Sequence, residues 1–191
     1  PGKLPALPTF AGPSNDRSFK QYRADTTLSC GSYLPLSSAD PPTPILVIDA
    51  KTLQRNIQRM ADYTVRHGLK LRPHMKTHKS LRVARMQLQA GSAGVTVAKP
   101  GEACVMAAAA SDILMAYPAV HASRADELAQ IAHTTTIRVA LDSQLPADVL
   151  SAAASRAESS IGILVDLDVG LGRTGVQTPQ QALALARLVE Q

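Results

Sequence analysis

From residue 44 to the end of the chain, short unbroken apolar runs alternate with stretches of helical spacing. Ile45 to Asp49 is the first run, of the kind expected for a strand buried on both faces. Leu53, Ile57, Met60, Ala61 and Val65 then recur at near-helical spacing, and Gly68 closes that helix. Lys70 to Lys79 reads as a second strand. Ser80 is placed to cap a helix over Leu81 to Ala90, ended by Gly91. Further strands are expected at Gly94–Ala98, Asp112–Tyr117, Ile137–Asp142 and Ile161–Asp168, with helices opening at Pro100, Ser123, Leu145 and Thr178-Pro179. Six strands alternating with six helices mean a parallel sheet covered by helices, an α/β fold. An open doubly wound sheet fits, and so does a (β/α)8 TIM-type barrel cut after about six units. The end at Gln191, inside a helical pattern, favours the barrel. In either architecture the site is expected at the carboxyl ends of the strands.

Residues 1–43 break this rhythm. They hold seven prolines and little periodicity, and read as an arm or linker before a partial barrel domain at 44–191. Hydrophobic residues make up 45% of the 191 but aromatics only 3%, so the core must be aliphatic. The net charge of +5 suits an anionic small-molecule ligand, while scarce stacking residues weigh against nucleic acid. No apolar run reaches the roughly 18 residues of a membrane span, and no secretion signal opens the chain. Cys30 and Cys104 lie far apart and suggest neither a disulfide framework nor a metal cluster, which fits a reducing, cytoplasmic setting.

The second strand carries the most concentrated chemistry. Alternation puts Lys70, Arg72, His74, Lys76 and His78 on one face and Leu71, Pro73, Met75 and Thr77 on the other. Such a run is ordinarily a solvated edge. Flanking helices argue for an interior strand, and a buried cationic face needs an anion, so a phosphate or carboxylate ligand is expected there. Lys76, at the carboxyl end, is either a surface lysine or an amine crowded by other cations and so kept neutral, as Schiff-base chemistry requires; the pattern leaves these balanced. His74 and His78 flank it without a nearby carboxylate or Cys, so metal is the weaker reading and no metal ligand is assigned.

Gly170-Leu171-Gly172-Arg173-Thr174-Gly175 matches G-x-G-x-x-G after a strand. As a dinucleotide loop it stands in the wrong place, after the sixth strand and with its helix opening beyond the last glycine. The plainer reading is a tight loop that projects Arg173, whose donor fork suits an oxyanion, at the same rim as Lys76. Asp166 and Asp168 share a face; a general-acid pair is one reading, and the favoured expectation is that they anchor nearby cations such as Arg173 or the basic strand. Tyr117 is expected as a ring packed at the rim, and Cys104 as core.

Arg72-Pro73-His74-Met75-Lys76-Thr77-His78-Lys79 resembles the R-P-H-x-K-T-H-K signature of the D-threonine aldolase and D-serine dehydratase family, pyridoxal-phosphate enzymes of the alanine-racemase fold type. Asp168-Val169-Gly170 through Arg173, Gly175 and Val176 resembles that family's D-V-G-x-x-R-x-G-V loop, and the likeness runs from Pro42 to Val176. The resemblance implies that Lys76 holds the cofactor covalently and then acts as base. It implies that Arg173 contacts the cofactor's phenolic oxygen and that His74 lines its pocket. It further implies a homodimer, a small D-amino acid substrate, and a divalent metal, zinc or manganese, held by a C-terminal β-domain that is not in this chain. The fragment alone is expected to be inactive. Retro-aldol cleavage of a β-hydroxy-D-amino acid is the leading expectation, with a D-serine dehydratase-like or hydroxyaspartate ammonia-lyase as the alternative. A non-catalytic carrier of the vitamin and a nucleotide-dependent oxidoreductase are readings of other classes. Met75 and Val95-Thr96-Val97 depart from the aldolase pattern and weaken that choice.

Overall fold

The computed structural model describes residues 47–190. The arm expected at 1–43 and the opening of the first strand lie outside them. Four strands, β1 (Val95–Val97), β2 (Asp112–Met115), β3 (Thr136–Leu141) and β4 (Gly162–Val165), form a parallel sheet in the order β1-β2-β3-β4. Six helices accompany them: α1 (Ala50–Arg66), α2 (Leu81–Gln89), α3 (Pro100–Met106), α4 (Ala122–Ile131), α5 (Gln144–Arg156) and α6 (Pro179–Val189). The strand order never reverses, and an open doubly wound sheet would need a reversal. The architecture is therefore part of a (β/α) barrel.

The register explains the burial. Val95, Val97, Ile113, Met115, Ile137, Val139 and Leu141 lie on the convex face of the sheet and are buried. The helices meet this face with small residues, Ala103, Ala125, Ala129, Ala147 and Ala153, filled in by Met106, Leu128 and Leu150. Alanines let helix and sheet approach closely, which is how an aliphatic core packs without aromatics. Each fully buried aliphatic side chain contributes about 1.5–3 kcal/mol. The concave face alternates with it and carries Thr96, Asp112, Leu114, Arg138, Ala140 and Leu164, the last 40% exposed.

Two expected strands differ. Val47 to Asp49 forms no strand, and Val47 and Ile48 are exposed rather than buried. No described strand pairs with them, and Asp49 instead caps α1, accepting from the Thr52 N–H at 2.5 Å. The basic strand is reduced to an edge. Ala93 N–H donates to the Leu71 carbonyl (2.9 Å), Thr96 N–H to Pro73 (2.8 Å) and Met75 N–H to Thr96 (2.8 Å), with a parallel bridge between His74 and Thr96. Pro73 has no N–H to continue the ladder, and the chain turns at Met75. The other boundaries follow expectation within a few residues, capped by Ser80 on Val83 N–H (3.2 Å) and by a reciprocal Thr178–Gln181 box.

Candidate active site at the barrel rim

Lys76 sits where the edge segment leaves the sheet. Met75 before it is completely buried and anchors the turn, while Lys79 N–H returns to the Met75 carbonyl at 2.8 Å. Lys79 itself takes a left-handed conformation, φ 48°, which sends the chain into the Ser80 cap of α2. The Lys76 N–H donates to His74 Nδ1 at 3.2 Å, and the Thr77 hydroxyl to the His74 carbonyl at 3.4 Å. Ser80 N–H donates to His78 Nδ1 at 3.1 Å, and the buried His78 Nε2 has no partner among the described residues. Burial holds His78 below the usual imidazole range, with Gln87 opposing.

Glu102, at the opening of α3, fastens this turn to β1. Its Oε2 accepts the Ala98 N–H at 2.9 Å and its Oε1 lies 3.8 Å from Lys79 Nζ. Burial lowers the proton affinity of His74 first, the positive charge of Lys76 lowers it next, Glu102 opposes, and Arg173 lowers it further. His74 thus feels both Lys76 and Arg173, so the basic turn and the glycine loop share one electrostatic neighbourhood.

The glycine loop is built around its own carboxylates. Asp168 Oδ1 accepts from the N–H groups of Gly170 (2.9 Å), Leu171 (2.9 Å) and Gly172 (3.1 Å). Hydrogen bonds from Gly172 and Gly170 hold the Asp168 carboxyl below its ordinary range. The Thr174 hydroxyl donates to Asp166 Oδ2 at 2.8 Å and Gly175 N–H to Asp142 Oδ2 at 3.1 Å. At the ends of the loop, Asp168 N–H donates to the Val176 carbonyl and Val176 N–H to Asp166, both at 2.9 Å. Gly175 has φ 103°, and a Cβ there would stand 2.4 Å from the Asp168 nitrogen.

Several expectations change. Asp166 and Asp168 hold the loop's backbone and Thr174 rather than Arg173, because three consecutive N–H groups of the tight turn need an acceptor at close range. Arg173 is left without a carboxylate partner among the described residues. The basic run is not a buried face: Lys70 and Lys76 are exposed. Arg72 is paired with Asp112 of the same chain, in a two-pronged contact whose second arm is 3.0 Å, and shares that carboxylate with Arg138. Sequence reasoning missed that role for Asp112, although an acid opening a strand was a visible signal. Tyr117 is exposed, so its ring is not packed, and Cys104 is half-buried with its thiol pushed up by burial. α6 opens at Pro179, beyond the last glycine, which removes the geometry of a dinucleotide loop. Among the described residues no group of three or more His, Cys, Asp or Glu side chains is placed to hold a metal, and no helix is long and apolar enough to cross a membrane.

Fold and rim together define a (β/α)-barrel protein with a lysine, a histidine and an arginine without a carboxylate partner among the described residues, at the carboxyl ends of its strands. The model of the alanine racemase N-terminal domain matches residues 48–191, and the chain belongs to that family. The 3-hydroxy-D-aspartate aldolase of Paracoccus denitrificans is 35% identical over 155 residues, which are 80% of this chain and 40% of that protein. The D-threo-3-hydroxyaspartate dehydratase of Delftia sp. (strain HT23) is 33% identical over 145 residues, 75% of this chain and 38% of that protein. The crystal structure of D-threonine aldolase from Filomicrobium marinum superposes with a TM-score of 0.76 at 34% identity, covering 78% of this chain and 41% of that one. The chain spans about two fifths of the length of the curated relatives it matches.

Proposed function

We propose that this chain is the cofactor-bearing part of a pyridoxal-phosphate lyase that cleaves β-hydroxy-D-amino acids, with Lys76 as the amine that takes the cofactor. The supporting observation is the donor set. The cofactor offers an aldehyde, a phenolic oxygen and a phosphate. The rim offers an exposed primary amine at Lys76, a guanidinium at Arg173 free of any described carboxylate, and an imidazole at His74 whose proton affinity is lowered by burial and by both cations. These residues fit the aldehyde and the phenolic oxygen; no described residue is assigned to the phosphate.

When bound, the cofactor supplies an electron sink for the pair of electrons released at the substrate's Cα. Lys76 holds it and afterwards carries a proton on Nζ. Arg173 donates hydrogen bonds from its fixed fork. Burial first and the charge of Lys76 next lower the proton affinity of His74, which disfavours a further positive charge beside the two cations. Aldol cleavage is supported by the 3-hydroxy-D-aspartate aldolase and D-threonine aldolase relatives. Loss of the β-hydroxyl with ammonia, the second reading, is supported by the dehydratase relative; the departures at Met75 and Val95-Thr96-Val97 weaken the aldolase pattern without pointing to a dehydratase.

Borohydride reduction of the full-length protein with pyridoxal phosphate, followed by peptide mapping, is expected to place the label on Lys76; a label elsewhere overturns the assignment. Release of glycine from D-threonine or 3-hydroxy-D-aspartate supports cleavage. Release of a keto acid and ammonia from the same substrates or D-serine supports elimination instead.

A further inference from the structure

The concave face holds a charge cluster that the rim chemistry does not use. Arg72 sits two residues below His74 and four below Lys76 on the edge segment, level with Gly94, and Gly94 precedes Val95 just as Asp112 precedes Ile113 in the register. Arg72 reaches across that glycine to grip both oxygens of Asp112 on β2, Nη2 to Oδ2 at 3.0 Å. Arg138, on the next strand, donates from Nη1 to the same Oδ2 at 2.5 Å. Any side chain at position 94 would block the crossing: a Cβ there would lie 2.4 Å from Arg72 Nη1 and 2.6 Å from the Asp112 carbonyl oxygen. The edge segment needs such a fastening. Its ladder to β1 is interrupted at Pro73, and beyond Met75 it turns away from the sheet.

We propose that the Arg72–Asp112–Arg138 cluster, admitted by Gly94, is the positioning device for Lys76. It locks the edge segment to β2 and β3 over the head of β1 and so fixes where the amine emerges at the rim. Asp112 is a positioning residue, acting on Lys76 through Arg72 and the backbone of residues 72–76. The proposal rests on Lys76 being the amine that takes the cofactor. Geometry supports the mechanical part by itself: guanidiniums from the edge segment and from β3 converge on one carboxylate of β2, tying these three parallel segments together across β1.

The test uses the full-length protein and the near-isosteric Asp112→Asn, with Arg72→Lys, which keeps the charge but loses the fork, as a second variant. Arg156→Ala, which breaks the remote Arg156–Asp126 pair, is the control. In cofactor-free protein, amide exchange of residues 71–79 is expected to quicken by about tenfold in Asp112→Asn, as for a lost charge-assisted hydrogen bond, while β3 amides hold their rates. Reductive fixation of pyridoxal phosphate on Lys76 is expected to slow by a similar factor, with Arg72→Lys in between and Arg156→Ala unchanged. Unaltered exchange over 71–79, or equal quickening throughout the sheet, overturns the proposal. A label on a different lysine in the unsubstituted protein overturns the function proposed for Lys76, and the exchange data then judge the fastening on their own.

Discussion

The basic turn and the glycine loop bring cations to one place by opposite means. The turn at Met75–Lys79 is held from outside: by backbone bonds to β1, by buried Met75 below it, and by Glu102 from α3. The loop at 168–175 is held mainly from inside, by Asp168 gathering three N–H groups of the next four residues and by Asp166 on Thr174, with Asp142 at the end of β3 adding one outside bond to Gly175. A segment held from outside carries its charge at a height set by the sheet. One held from inside keeps its shape through local hydrogen bonds and leaves its cation unspent. The role proposed for Lys76 calls for the first, since a covalent anchor must emerge at a fixed point; the role proposed for Arg173 calls for the second, since a guanidinium already paired to a carboxylate has less to offer an oxyanion.

The sharpest way to break the contrast is Gly175→Ala. The position combines a left-handed φ with a Cβ clash against backbone, so the loop should lose its closed form at a cost of about 3 kcal/mol. Urea unfolding measures the loss, and peptide-resolved exchange should confine the change to 166–176 and leave 71–79 protected. Glu102→Leu is the converse. Removing the acceptor of the Ala98 N–H is expected to cost about 2 kcal/mol and to loosen the basic turn while sparing the loop. If both segments loosen together in either variant, their separate fastening is wrong.

Acid provides a gentler test. The folded Asp168 carboxyl lies below its ordinary value, so it binds protons less readily than in the unfolded chain. Its contribution is complete above the unfolded value of about 4 and is lost as pH falls through the folded one. Exchange at Gly170, Leu171 and Gly172, corrected for intrinsic rates, should therefore rise at low pH before the sheet opens, and Asp168→Asn should abolish that acid step. The smallest expected effect is on His74. Its titration midpoint by NMR should lie below the ordinary imidazole value, rise with Lys76→Met, and rise less with Arg173→Gln. No response to either substitution would separate the two segments. The linkage has the same sign: a His whose folded proton affinity is depressed gives stability above about pH 6.5 that fades as pH falls through its folded value.

Most of the secondary structure was readable along the chain. Ser80 and Thr178 announced their helices, Pro100 and Pro179 opened theirs, and the apolar runs at 95–97, 112–115, 136–141 and 162–165 became strands. The misses have physical causes. Val47-Ile48 has the composition of a buried strand but no described neighbour to bury it. Asp166 and Asp168 looked like partners for Arg173, but nearby backbone donors outcompeted it.

The residues alone determined the alternation of elements, their caps, and the two segments that bear the candidate chemistry, because periodicity, capping and turn preference are settled within a few neighbours along the chain. Tertiary structure decided the rest. Only strands laid in register bring Arg72 to Asp112, 40 residues away, and Arg138 to the same carboxylate from 26 residues beyond it. Only the unreversed strand order gathers the basic turn and the glycine loop at one rim. Such pairings depend on how the sheet curves and which side chain is absent at the crossing point, and neither is written in local spacing.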